Sequence, residues 1–119
     1  MDMRTVIVED DILSAEYMRI LCDTLGADVV GVAHDGDSAV DIIMDTRPAW
    51  VLMDLRLGEG KDGVEVAHIV HREMPDTKVI FVTASNESAA MARIVTDHPY
   101  RILIKPTVQG DLAEAFGLA

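Results

Sequence analysis

Five short aliphatic runs recur along the chain, and four of them end in a polar residue that a strand interior could not absorb. Thr5 to Val8 is closed by Glu9 and Asp10, and Trp50 to Met53 by Asp54. Lys78 to Val82 is closed by Thr83, and Arg101 to Ile104 by Lys105. The remaining run holds Val29, Val30 and Val32. Continuous runs of this length and β-branched content suit strands buried on both faces.

Segments of helical period separate them. Leu13, Tyr17, Ile20 and Leu21 follow Asp11, a capping residue, and give way to Gly26. His34 to Asp37 reads as a turn before a helix that turns Ala39, Val40, Ile43 and Met44 inward and stops before Pro48. A third helix is expected to bury Val66, Ala67, Val70 and Met74 and to stop before Pro75. Residues 87–97 carry a weaker stripe of Ala90, Met91 and Ile94. Val108, Leu112, Ala115 and Phe116 outline a short last helix. Strict alternation of strand and helix predicts an α/β fold, a doubly wound five-stranded parallel sheet with helices on both faces. One domain over residues 1–119 is expected, since no linker or repeat interrupts the alternation.

In such a sheet the carboxyl ends of the strands share one rim, and ligands bind where the strand order reverses. Glu9, Asp10, Asp54, Thr83 and Lys105 all fall on that rim. Packed carboxylates repel one another unless a cation joins them. An oxygen-only donor set favours a hard ion such as Mg²⁺, held by one or two carboxylates, waters and a phosphoryl group. An aspartate can itself attack phosphorus. An ammonium such as Lys105 then offsets the charge of the transferred group, and the Thr83 hydroxyl can donate to it past the small Ala84.

Composition narrows the functions further. A net charge of −11 argues against a surface built to bind nucleic acid. No apolar run approaches a membrane span, and the N-terminus lacks a signal layout, so no membrane insertion and a cytoplasmic protein are expected. Cys22 is the only cysteine, which rules out an intrachain disulfide and CxxC metal sites.

These pieces resemble the response-regulator receiver domain of two-component signalling. The resemblance rests on Val8-Glu9-Asp10, Met53-Asp54, Val82-Thr83-Ala84 and Ile104-Lys105-Pro106, and runs from about residue 4 to residue 116. It implies the flavodoxin-like strand order 2-1-3-4-5 and phosphorylation of Asp54 by a histidine kinase or histidine phosphotransfer protein, with an output protein as partner. It also implies Mg²⁺ held by Glu9, Asp10, Asp54 and the backbone carbonyl of Arg56, with Thr83 and Lys105 on the phosphoryl group. A receiver assists its own phosphorylation and dephosphorylation without being an enzyme in the usual sense. A cis peptide between Lys105 and Pro106 is implied as well.

Three features depart from the family pattern. Gly58-Glu59-Gly60 stands where a proline usually follows the phosphoacceptor, Ile102 stands in place of a switching aromatic, and the last helix is short. Ile102 is stiff at χ1, and Tyr100 lies too far from Thr83 to replace it, so switching is expected between Ala84 and Met91. Two other motifs are set aside. Gly58 to Gly63 satisfies GxGxxG, but its glycines start too far from the strand and carry acids where a pyrophosphate would sit. His68 and His71 fall on a polar helix face and read as solvated side chains. A phosphatase with Asp54 as turnover nucleophile would want an acid at position 56, where Arg56 cannot serve. A receiver-like binding module that no longer cycles phosphate is the other alternative.

Overall fold

The computed structural model describes residues 1–84 and 101–118. Its five strands are β1 (Arg4–Val8), β2 (Asp28–Ala33), β3 (Trp50–Asp54), β4 (Lys78–Thr83) and β5 (Arg101–Ile104). Its helices are α1 (Ile12–Thr24), α2 (Gly36–Thr46), α3 (Gly63–Glu73) and α4 (Gln109–Ala115). The helix expected over residues 87–97, with Ala90, Met91 and Ile94, lies outside the described residues, as does Tyr100.

All strand pairs are parallel, in the order β2-β1-β3-β4-β5. From β1 the chain passes outward to β2 and then returns to the other side of β1 as β3. That reversal opens a crevice between the carboxyl ends of β1 and β3. Val8 pairs with Met53, so Glu9 and Asp54 leave the sheet side by side. Thr83 pairs with Ile104, which brings Lys105 to the same rim.

Alternate residues of the central strands feed two cores, as a two-residue period requires. Val6, Val8, Val51, Met53, Val79 and Phe81 meet α2 and α3 on one face. Ile7, Leu52, Ile80 and Val82 meet α1 and α4 on the other. Phe116, just past α4, is fully buried and stands edge-on to Trp50 at 5.1 Å between centroids. Lys78 covers the Trp50 ring at 5.0 Å.

The α2 and α3 starts are set by their caps. Asp35 accepts from the Ser38 amide at 2.7 Å, and Asp62 with Glu65 forms a reciprocal capping box. Asp11 occupies the N-cap of α1, but its carboxylate takes the Ser14 hydroxyl at 2.7 Å and no backbone amide.

Helix α1 corrects one expectation. Leu13, Tyr17 and Ile20 face outward, with Leu13 79% exposed, while Ala15, Met18, Leu21 and Cys22 face the sheet. Both stripes have helical spacing. The smaller one wins because Ala15 and Cys22 let the helix lie close against a continuous β-branched surface. Val108 is likewise exposed, as the N-cap of α4, whereas Leu112, Ala115 and Phe116 are buried as expected. Val40 and Met44 are half-buried and pack against the α2–α3 core. Cys22 is a packing residue whose thiol is pushed up to about 12 by burial.

Candidate functional site

Glu9 leaves β1 directly into the crevice. Its amide donates to the Ala33 carbonyl at 2.9 Å, which prolongs the β1–β2 ladder by one bond. That bond fixes the backbone and leaves the side chain turned inward, only 3% exposed. A buried carboxylate needs a partner. Glu9 finds it in Lys105, whose Nζ lies 2.5 Å from Oε1, while Oε2 accepts the Asp11 amide at 3.3 Å.

Asp54 ends β3 and is buried as well. Its Oδ2 lies 3.4 Å from the same Lys105 ammonium, and its Oδ1 accepts the Arg56 amide at 3.3 Å. Asp10 is the exposed member, at the mouth. Glu9, Asp10 and Asp54 each offer an oxygen within 4.8 Å of the others. Beside Asp10 an open cleft of about 550 Å³ is lined by Leu55, Arg56, Leu57, Gly58 and Asp62. Thr83 is fully buried at the end of β4, and its carbonyl accepts the Lys105 amide at 2.8 Å. The Lys105–Pro106 peptide is cis.

The electrostatics follow from this crowding. Burial pushes the Glu9 carboxyl above the usual range, and the adjacent Asp54 carboxylate adds to the shift while Lys105 opposes it. Asp10 is raised by burial and by Glu9. Burial works against the Lys105 charge, but Glu9 and Asp54 outweigh it and hold the ammonium above its ordinary value.

The structure therefore brings the Glu9, Asp10, Asp54 and Lys105 side chains together, ends β4 at the same rim with Thr83, and places the Arg56 backbone at the mouth. Two contacts were not anticipated. Lys105 sits closer to Glu9 than to Asp54. His34, read only as a turn residue, places Nδ1 2.9 Å from the Glu9 carbonyl. A carbonyl can only accept, so Nδ1 carries the proton. The pairing of Val8 with Ala33 puts His34 opposite Glu9, and only that register would have disclosed it.

A family profile for the response regulator receiver domain matches residues 5–116. The chain belongs to that family. It is 38% identical over 116 residues to the positive alginate biosynthesis regulatory protein of Pseudomonas aeruginosa, covering 95% of this chain and 45% of that protein. It is 35% identical over 89 residues to the phyllosphere-induced regulator PhyR of Methylorubrum extorquens, covering 72% of this chain and 33% of that protein. The signal receiver domain of a modulated diguanylate cyclase from Desulfovibrio desulfuricans superposes with a TM-score of 0.85 at 34% identity, covering 97% of this chain and 90% of that one. The chain spans less than half the length of these curated relatives. Among the described residues no helix is long and apolar enough to cross a membrane.

Receiver domains bind Mg²⁺ at an acidic pocket, and this receiver's donor set fits one. All three side chains are carboxylates, they lie within reach of a single ion, and burial together with their mutual repulsion raises Glu9 and Asp10, a cost that a bound cation would relieve. A pH dependence follows. Native Glu9 holds a proton more tightly than the unfolded chain, whose ordinary value is 4.5. The stability from this proton is complete below that value and is lost as pH rises through the native one. Asp11 and Asp35, lowered by their Ser14 and Ser38 partners, act in the opposite sense, below their ordinary 3.8. Without Mg²⁺ the melting temperature should therefore rise as the pH falls from neutral toward Glu9's ordinary 4.5. Saturating Mg²⁺ should raise it most at neutral pH and flatten the profile. Thermal melts across pH with and without Mg²⁺ check this; a metal-free optimum at neutral pH would count against the crowding of these acids.

Proposed function

We propose that residues 1–119 form a receiver that accepts a phosphoryl group on Asp54 and works as a Mg²⁺-dependent signalling switch. The observation that carries this reading is the triangle of Asp54, Glu9 and Lys105, with two buried carboxylates facing one ammonium at the strand-order reversal. One Asp54 oxygen attacks phosphorus, the bond from phosphorus to the donor breaks, and the donor keeps the electron pair. Lys105 holds a positive charge beside the incoming group, and the Thr83 hydroxyl supplies a donor to its oxygens. Glu9, Asp10, Asp54 and the Arg56 carbonyl would hold Mg²⁺. Bound Mg²⁺ would neutralise charge on the phosphoryl oxygens. Water later attacks the acyl phosphate, restoring the carboxylate and releasing phosphate, so the domain takes part in its own phosphorylation and dephosphorylation.

The donor in this reading is a histidine kinase or histidine phosphotransfer protein, the output is a protein partner, and the compartment is the cytoplasm. Incubation with Mg²⁺ and acetyl phosphate, followed by intact-mass measurement, tests it. A single phosphoryl adduct that decays slowly supports the switch. Rapid release of phosphate with no adduct would point to a phosphatase, and no reaction to a binding module that no longer cycles phosphate.

A further inference from the structure

The loop from β3 to α3 is fastened at both ends to the strand that carries Asp54. At its start the Arg56 amide donates to Asp54 Oδ1. At its end Gly63 donates to the Leu55 carbonyl at 3.0 Å. Gly63 packs so tightly that a Cβ there would stand 2.2 Å from the Asp54 carbonyl oxygen. The last residues before Asp62 are fastened elsewhere, on the first turn of α2. A Cβ on Gly36 would stand 2.1 Å from the Lys61 carbonyl oxygen, and Lys61 Nζ pairs with Asp37 Oδ1 at 2.8 Å. Gly60, at φ 86°, brings the backbone alongside Asp37 in a conformation that favours glycine.

End points on β3 fix where this loop leaves and returns, but not how it leans over the cleft between Asp10 and Arg56. The contact with α2 sets that. We propose that Gly36 and Asp37 are positioning residues for the acidic site. Through Lys61 they hold the Arg56 segment at the wall of the cleft where a divalent cation binds. The inference rests on reading Glu9, Asp10 and Asp54 as that cation's site. Gly36 acts by allowing backbone-to-backbone contact, which no other residue permits at this spacing. Asp37 and Lys61 are an exposed pair and add a smaller restraint.

Mg²⁺ titrations of the wild-type protein, Gly36→Ala, Asp37→Ala and the charge swap Asp37→Lys/Lys61→Asp test this, read by thermal shift and by amide hydrogen exchange of residues 55–62. Gly36→Ala should bind Mg²⁺ about tenfold more weakly, a typical cost of losing an outer support, with faster exchange across the loop. Asp37→Ala should weaken binding by less than about fivefold, and the charge swap should restore it. A Gly36→Ala protein with a lower metal-free melting temperature but unchanged Mg²⁺ affinity would make these contacts purely structural and overturn the inference. If Gly36→Ala does not fold, loss in Asp37→Ala without rescue by the swap would overturn it equally. A wild-type protein with no Mg²⁺ response would instead remove the cation site itself, and the inference with it.

Discussion

Lys105→Ala is expected to slow phosphorylation of Asp54 by a small phosphodonor by about 10²–10³-fold, the usual cost of losing a preorganised charge at a developing anion. The lysine is well placed for that role. Its backbone is pinned by the bond from its amide to Thr83, and its ammonium already faces Asp54 Oδ2 at 3.4 Å. Glu9 and Asp54 hold its pKa above the ordinary value, so it stays charged at neutral pH. The same variant should bind Mg²⁺ no more weakly than the wild type, because Glu9 loses the cation that competes for Oε1. Slow labelling with intact metal binding separates a lost phosphoryl contact from a collapsed site. A labelling rate within about threefold of wild type would mean that Lys105 only balances Glu9.

Phe116→Ala should destabilise the domain by about 3–5 kcal/mol, seen as a fall in urea midpoint at unchanged slope. Helix α4 has 7 residues, too few to persist on its own, so its position depends on what it buries. Phe116 is fully buried against Trp50 and shares a core with Leu52, Ile80 and Leu112. Against a total stability of about 5–15 kcal/mol the loss is large. Leu13→Ala is the contrasting case. As an exposed residue of α1 it should change stability by no more than about 0.5 kcal/mol. Equal losses in the two variants would mean that α1 is rotated from the orientation described.

The fold was legible because the strand signals agree with one another. Each run from Trp50 to Met53 or from Lys78 to Val82 is ambiguous alone, yet alternation with amphipathic segments leaves one architecture. The rim residues were legible for the same reason, since chain order alone puts strand ends at one edge. Which face of α1 points inward was not. Leu13, Tyr17 and Ile20 form as regular a stripe as Ala15, Met18 and Cys22, and bulk favoured the wrong one. Only the closeness of helix to sheet decides between them. Partnerships across strands were illegible for a further reason. Lys105 with Glu9, His34 with the Glu9 carbonyl, and Gly36 with Lys61 depend on register and loop path. Periodicity carries no information about either. Ile102 is half-buried and packs against the core that includes Phe81, consistent with a stiff aliphatic plug. The switching segment expected between Ala84 and Met91 extends, beyond Ala84, outside the described residues.

The central claim is that one carboxylate, Asp54, takes the phosphoryl group. Intact-mass analysis of wild-type protein and Asp54→Asn, each incubated with Mg²⁺ and acetyl phosphate, tests it most directly. The wild type should gain one phosphoryl group, labile to base and hydroxylamine as an acyl phosphate is. Asp54→Asn should gain none, while keeping its fold. Labelling of Asp54→Asn to the wild-type extent would contradict the assignment and move the chemistry to another residue.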